Sequence, residues 1–226
     1  MKPFRAHARG LLYSLCHLAS GSVASCLTGV RHFDVPDMER LGAVLLAGNH
    51  QSFLDPVLVG MALSEPVHYL ARSGLFRVPG FGQLIRALGA HPVRRGMPDA
   101  EAIRWVHQVL RDGEPLLMFP EGTRTRDGSL GRFRPGVGSV AVRCDVPVIP
   151  VCIHGAFESW PRTHALPRPA RVAVAFGPPL RAKDGDEQDL TRRLAERVAH
   201  MQKALRRHLG RPQATRENDS QERTNN

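Results

Sequence analysis

The sequence predicts an α/β fold: a single domain with a central, mostly parallel sheet flanked by helices. Three observations carry this. The chain has 226 residues, enough for one α/β domain with a real core plus a small accessory segment. Short apolar runs of strand length recur at residues 43–47, 67–71, 115–119 and 146–153. Segments with helical spacing alternate with them, and alternating strands and helices argue for a largely parallel sheet.

Taken in order, residues 1–9 carry Lys2, Arg5 and Arg9, and residues 11–30 are mostly apolar or small. A spanning helix needs about 20 predominantly apolar residues, and His17 with several serines makes this run marginal for one. A basic start before an apolar stretch also fits a signal peptide, and Val23-Ala24-Ser25-Cys26 has the form of a lipoprotein cleavage box. The favoured reading is a third, a membrane-surface helix with one apolar face and basic residues at its start. Residues 31–41 are polar, contain Pro36 and read as a linker. Residues 1–35 are thus expected to form an N-terminal membrane-associating helical segment with its linker.

The run at 43–47 is short, half β-prone and closed by Gly48, so it reads as a buried strand. Residues 56–63 continue as a short apolar helix, and 67–71 read as a second strand. Residues 74–82 form a loop punctuated by glycine and proline that carries large apolar residues. Core cover is one reading of it; beside an active site, a surface for an oily ligand or a bilayer is the other. Residues 83–88 read as helical and lead to 89–95. Over 98–111, Ile103, Val106 and Leu110 share one side, with Asp99 and Glu101 in the first turn and Asp112-Gly113 as the stop. Residues 115–119 form the next strand, followed by a loop over 120–128. Residues 146–153 form another buried strand, and 171–176 alternate as a last strand at an edge.

Leu190, Leu194, Val198, Met201, Leu205 and Leu209 step by three and four, with arginines and Lys203 elsewhere on the surface of that helix. The simpler reading packs it on the core with a solvated basic side; membrane contact is the alternative. Gly210 and Pro212 end it. The main domain is expected over residues 36–210, and the polar residues 211–226 as a disordered tail.

Composition narrows the function classes. Hydrophobic content of 42% and charged content of 23% describe a globular chain, and a formal net charge of +10 favours anionic partners such as anionic lipid, nucleic acid or an acidic carrier protein. Only two Trp and two Tyr are present, with no stacking motif, which argues against RNA. The four cysteines form no C-x-x-C pair and read as free thiols in a reducing compartment. No metal-binding spacing, Walker loop, dinucleotide fingerprint or nucleophile elbow is present, so neither metal nor cofactor is expected.

The chemistry concentrates in Asn49-His50-Gln51-Ser52-Phe53-Leu54-Asp55, just past the end of a strand, where α/β folds place their sites. A histidine moves protons near neutral pH. A carboxylate five residues on can reach back to one imidazole nitrogen and leave the other as a base. Ser52-x-x-Asp55 is equally a helix-capping pattern. A second stretch, Phe119-Pro120-Glu121-Gly122-Thr123-Arg124, tilts the balance towards chemistry.

Together these blocks resemble the glycerolipid acyltransferase family, whose members acylate glycerol phosphate and lysophospholipids. Asn49-His50-x-Ser52-x-x-Asp55 and Phe119 to Arg124 match the family's first and third blocks, and Val148-Ile149-Pro150-Val151 matches the fourth. In the second block Phe81-Gly82 and Arg95 fit, while Arg94 stands where the family usually shows an acid or polar residue. The resemblance covers about residues 40–180. It implies an O-acyltransferase that moves a fatty acyl group from acyl-CoA or acyl carrier protein to the hydroxyl of 1-acyl-glycerol-3-phosphate, making phosphatidate. His50 would take the hydroxyl proton and Asp55 would hold the imidazole. Arg124, Arg95 and the amides at Gly122-Thr123 would bind the acceptor phosphate, with Glu121 orienting those groups. The partners implied are the acyl donor, a lysophospholipid and a membrane surface, with no nucleic acid. The place implied is the inner face of the cytoplasmic membrane, peripheral or monotopic. Glycerol-3-phosphate or another lyso-lipid is the alternative acceptor, and a non-catalytic basic membrane-binding module is the alternative from another class.

Overall fold

The computed structural model describes residues 10–94 and 99–209. The basic start at 1–9, Arg95 and the tail at 211–226 lie outside the described residues. Helix α1 (Gly10–Thr28) leads into strand β1 (Arg31–Phe33) and the single turn α2 (Met38–Leu41). Then come β2 (Leu45–Gly48), α3 (Asp55–Gly60), β3 (His68–Arg72), a 3-10 turn at Ser73–Arg77, α4 (Phe81–Ala87) and β4 (Ala90–Val93). The remainder is α5 (Ala100–Arg111), β5 (Leu116–Met118), α6 (Gly136–Cys144), β6 (Val148–His154), α7 (Ala156–Ser159), β7 (Ala173–Phe176) and α8 (Glu187–Leu209).

The strands make one sheet in the order β1-β7-β6-β2-β5-β3-β4, with every pairing parallel except β6 with β7. The α/β expectation is therefore met. The central strands are buried on both faces, which is why they read as continuous apolar runs. Alternate residues feed two layers. Leu46, Ile149, Val151 and Ile153 pack with Leu58 and Val59 of α3. Leu45, Ala47, Val148 and Cys152 pack with Val106 and Leu110 of α5 and with Leu190, Leu194 and Val198 of α8. Each fully buried aliphatic side chain contributes about 1.5–3 kcal/mol. The apolar stripe of α8 is thus on the core, with Met201 and Leu209 at its margin.

Four sequence expectations change. Residues 31–41 are not a linker: Arg31–Phe33 pairs with Ala173–Ala175 at the sheet edge, and Met38 of α2 is buried. In consequence β7 is an interior strand, and the edges are β1 and β4. Residues 90–93 are a strand although Pro92 lies within them, since an edge strand tolerates a proline. In α5 the inward face is Ala102, Val106, Val109 and Leu110, and Ile103 is 52% exposed. Ile103 lies seven residues before the buried Leu110 and so on nearly the same side of the helix, but about one turn nearer its N-terminal end than Val106, where it is left uncovered.

Among the described residues no helix is long and apolar enough to cross a membrane. Helix α1 packs against α3 and α4, with His17 close to Gly60 of α3, buries Ala24 in the core, and leaves Leu15, Leu18 and Val23 exposed.

Candidate active site

Because the sheet is parallel through β6, β2, β5 and β3, the C-terminal ends of these strands share one edge of the molecule. Strand β2 ends at Gly48, where a Cβ would stand 2.0 Å from the Val151 carbonyl oxygen of β6. Only glycine allows so close a pass. The next residue, Asn49, is buried and continues the pairing with its side chain: Nδ2 donates to Ile153 O and Oδ1 accepts from Ile153 N, both at 2.8 Å. The backbone is thus held on β6 while it turns, and His50 emerges at the strand end.

Asp55, fully buried at the start of α3, closes that turn. Its Oδ2 accepts the backbone N–H groups of Gln51 at 2.6 Å and Ser52 at 2.9 Å. The same oxygen lies 2.7 Å from His50 Nδ1. An oxygen that receives backbone donors takes Nδ1–H as a third, and that tautomer leaves Nε2 as the acceptor of the ring. Ser52 Oγ accepts Leu54 N–H at 3.2 Å and donates to Trp160 O at 3.1 Å. One carboxylate therefore both organises the turn into the helix and orients the histidine.

The loop after β5 meets this turn. The Phe119 ring stacks on the His50 imidazole, centroids 4.0 Å apart and planes 11° from parallel. Glu121 Oε1 accepts the His50 backbone N–H at 2.9 Å, and Thr125 N–H donates to the His50 carbonyl at 2.8 Å. Glu121 Oε2 accepts Gly131 N–H at 3.1 Å. Burial pushes the Glu121 carboxyl above its ordinary range; the two N–H donors pull it down, and the nearby Asp55 charge adds to the rise. The His50 side chain keeps 11% of its surface accessible and Asp55 none.

The other residues singled out lie around this rim. Gly122 has a left-handed φ of 70°, and Thr123 is exposed beyond it. The Arg124 guanidinium carbon sits 3.3 Å from the centroid of the Phe53 ring, whose far neighbour is Trp160 at 5.4 Å. The structure thus brings His50, Asp55, Glu121, Gly122, Thr123 and Arg124 into one cluster. Two guanidinium groups that the sequence reading passed over lie one at the same edge of the sheet and one against the motif loop. Arg72 is exposed at the C-terminal end of β3, and the Arg134 guanidinium would stand 3.2 Å from a Cβ on Gly122. For Arg134 the only signal was the density of arginine at 124, 126, 132 and 134. For Arg72 it was its place at the end of a predicted strand. Among the described residues no group of His, Cys, Asp and Glu is arranged to hold a metal ion.

A sheet whose strand ends carry this histidine, carboxylate and arginine-bearing loop matches a known family over most of its length: the acyltransferase family model covers residues 32–154. The chain belongs to the acyltransferase family. It is 28% identical over 186 residues to the 1-acyl-sn-glycerol-3-phosphate acyltransferase of Pseudomonas aeruginosa, covering 80% of this chain and 71% of that one. It is 29% identical over 134 residues to the chloroplastic 1-acyl-sn-glycerol-3-phosphate acyltransferase BAT2 of Brassica napus, covering 57% of this chain and 39% of the relative. The chain thus spans about two fifths to one half of the length of the plant relatives it matches. In fold it is similar to the crystal structure of the 1-acyl-sn-glycerophosphate acyltransferase PlsC of Thermotoga maritima. That likeness has a TM-score of 0.75 at 23% identity and covers 88% of this chain and 81% of that one.

Proposed function

We propose that this protein transfers a fatty acyl group from a thioester, acyl-CoA or acyl carrier protein, to the free hydroxyl of 1-acyl-glycerol-3-phosphate. The observation that carries the reading is the His50 Nδ1 to Asp55 Oδ2 contact at 2.7 Å, with Nε2 left as acceptor at a strand end. Nε2 takes the hydroxyl proton as the oxygen attacks the thioester carbonyl; the tetrahedral intermediate collapses, and His50 returns the proton to the leaving thiolate. The acceptor oxygen is itself the nucleophile, so no acyl-enzyme forms. Such proton transfer typically contributes 10²–10⁴-fold. Asp55 fixes the tautomer and stabilises the imidazolium.

The phosphate of the acceptor is assigned to Arg124, together with Arg95 and the Thr123 amide, the Gly122 N–H being already donated to the Phe119 carbonyl at 2.9 Å. Stacking on Phe53 supports the Arg124 assignment, because it aims a planar, bidentate donor along one direction. The names borne by the bacterial and plant relatives support lysophosphatidate as the acceptor. The exposed Leu15, Leu18 and Val23 of α1, with Val78 just before α4 and Phe81 at its first position, support a peripheral or monotopic seat on a bilayer. The net charge of +10 suits an anionic inner leaflet. The test is transfer of a labelled acyl chain from each donor to a panel of glycerol-3-phosphate, lysophosphatidate and uncharged or zwitterionic lyso-lipids. Lysophosphatidate is expected to be the preferred acceptor, and equal use of lyso-lipids without a terminal phosphate contradicts the assignment.

A further inference from the structure

Glu121 is the part of the motif loop with the most direct hold on the histidine, and its carboxylate is already engaged. It is 7% exposed, with Oε1 on the His50 amide at 2.9 Å and Oε2 on the Gly131 amide at 3.1 Å. A buried carboxylate with each oxygen on a backbone donor makes a bridge between two chain segments, not an open ligand arm. We propose that Glu121 is a positioning residue: it bridges the backbone of His50 to that of Gly131 and so fixes the base nitrogen against the loop that receives the acceptor, without touching the acceptor itself. This rests on the reading of His50 as the base.

The side chain suits that task in detail. A carboxylate is acceptor-only, so both of its oxygens can face N–H groups; glutamine would turn an NH₂ towards one of the two. Gly131 is matched to it. A Cβ there would lie 2.5 Å from Glu121 Oε2, and its nearest neighbours are all atoms of Glu121. Gly131→Ala therefore displaces the carboxylate without removing any group from the site. The neighbours of Glu121 act on the same histidine: Phe119 stacks on its ring and Thr125 holds its carbonyl. Burial raises the Glu121 pKa. An acid so shifted stabilises the fold most at low pH and loses that contribution as pH rises through its folded value. Glu121→Gln keeps the size of the side chain and one acceptor oxygen, so this variant is expected to fold with one half of the bridge lost.

The experiment compares full-length wild type, Glu121→Gln, Gly131→Ala and the double variant. It reads kcat and acceptor KM, and the exchange protection of the His50 amide in the protein without substrate. Each single change is expected to lower kcat by up to about 100-fold, the scale of a small misplacement of a reacting group. Acceptor KM should stay within about twofold, and the His50 amide should exchange faster in both variants. The double variant should be no worse than Glu121→Gln alone, because both act on one bridge. A rise in acceptor KM with kcat retained would make Glu121 an acceptor ligand and overturn the proposal, as would an unchanged His50 amide in both variants. Should the wild type transfer no acyl chain, the proposed function fails; the amide measurement still decides whether the bridge exists.

Discussion

His50–Asp55 and His68–Glu114 are both histidine–carboxylate pairs, and they lie at opposite ends of the parallel strands. His50 stands just past the C-terminal end of β2, while His68 opens β3 and Glu114 precedes β5. Their burial is reversed. In the first pair the acid is fully buried and anchored by two backbone N–H groups, and the imidazole keeps 11% of its surface accessible. In the second the imidazole is 5% accessible and the acid 43%. His68 sits edge-on to Trp105, which stacks on His91 at 4.3 Å. Burial holds the His91 pKa below its ordinary value. A pair is equipped for general-base chemistry when the orienter is hidden and the ring can be reached, and it serves packing when the order is inverted. Both pairs join an imidazole to a carboxylate; the ring nitrogen engaged, Nδ1 in the first and Nε2 in the second, the order of burial and the end of the sheet separate them.

Substitutions can break this contrast. The largest expected effect is at the hidden acid. Asp55→Asn can keep an oxygen for the two backbone donors but removes the charge that stabilises an imidazolium, so turnover should fall about 10²–10⁴-fold with the fold retained. Turnover within a factor of ten of wild type, in steady-state assays, would mean that Asp55 serves the turn alone. Next comes the acceptor arm. Arg124→Ala should raise the acceptor KM about 10- to 100-fold and leave the donor KM unchanged, since a charge-assisted contact is worth about 1.5–3 kcal/mol. Arg124→Lys should recover only part of this, having lost the planar fork. The smallest effect belongs to the opposite end. Glu114→Gln should leave kcat within about twofold and lower the melting temperature by about 2–4 °C, one hydrogen bond's worth in a chain of this size. A tenfold loss of kcat there, with melting unchanged, would erase the distinction between the two ends.

The contrast also marks how far the sequence could be read. The buried strands were legible because doubly covered strands must be apolar throughout, and the His50 heptad because its spacing carries a mechanism. β1 was not, since three residues, Arg-His-Phe, owe their strand state to pairing with β7 rather than to their own pattern. β4 was hidden by Pro92, and α6 by Gly136 and Gly138. Within the site, the grouping of His50 with Glu121 and Arg124 was expected, but what Glu121 touches was not. Its partners are His50, 71 residues away, and Gly131, 10 residues on, and neither separation has a periodicity to betray it. Phe119 read as a strand residue and proves to be the platform for the imidazole.

The central claim is that the accessible nitrogen of His50 is the base for acyl transfer. The most direct measurement is the turnover of purified His50→Ala, with lysophosphatidate and a thioester donor, beside wild type of the same melting temperature and vesicle binding. The account predicts that phosphatidate formation falls by at least about 10²–10⁴-fold, the range of a lost general base, while melting and vesicle binding stay unchanged. Turnover by His50→Ala close to that of wild type would contradict it.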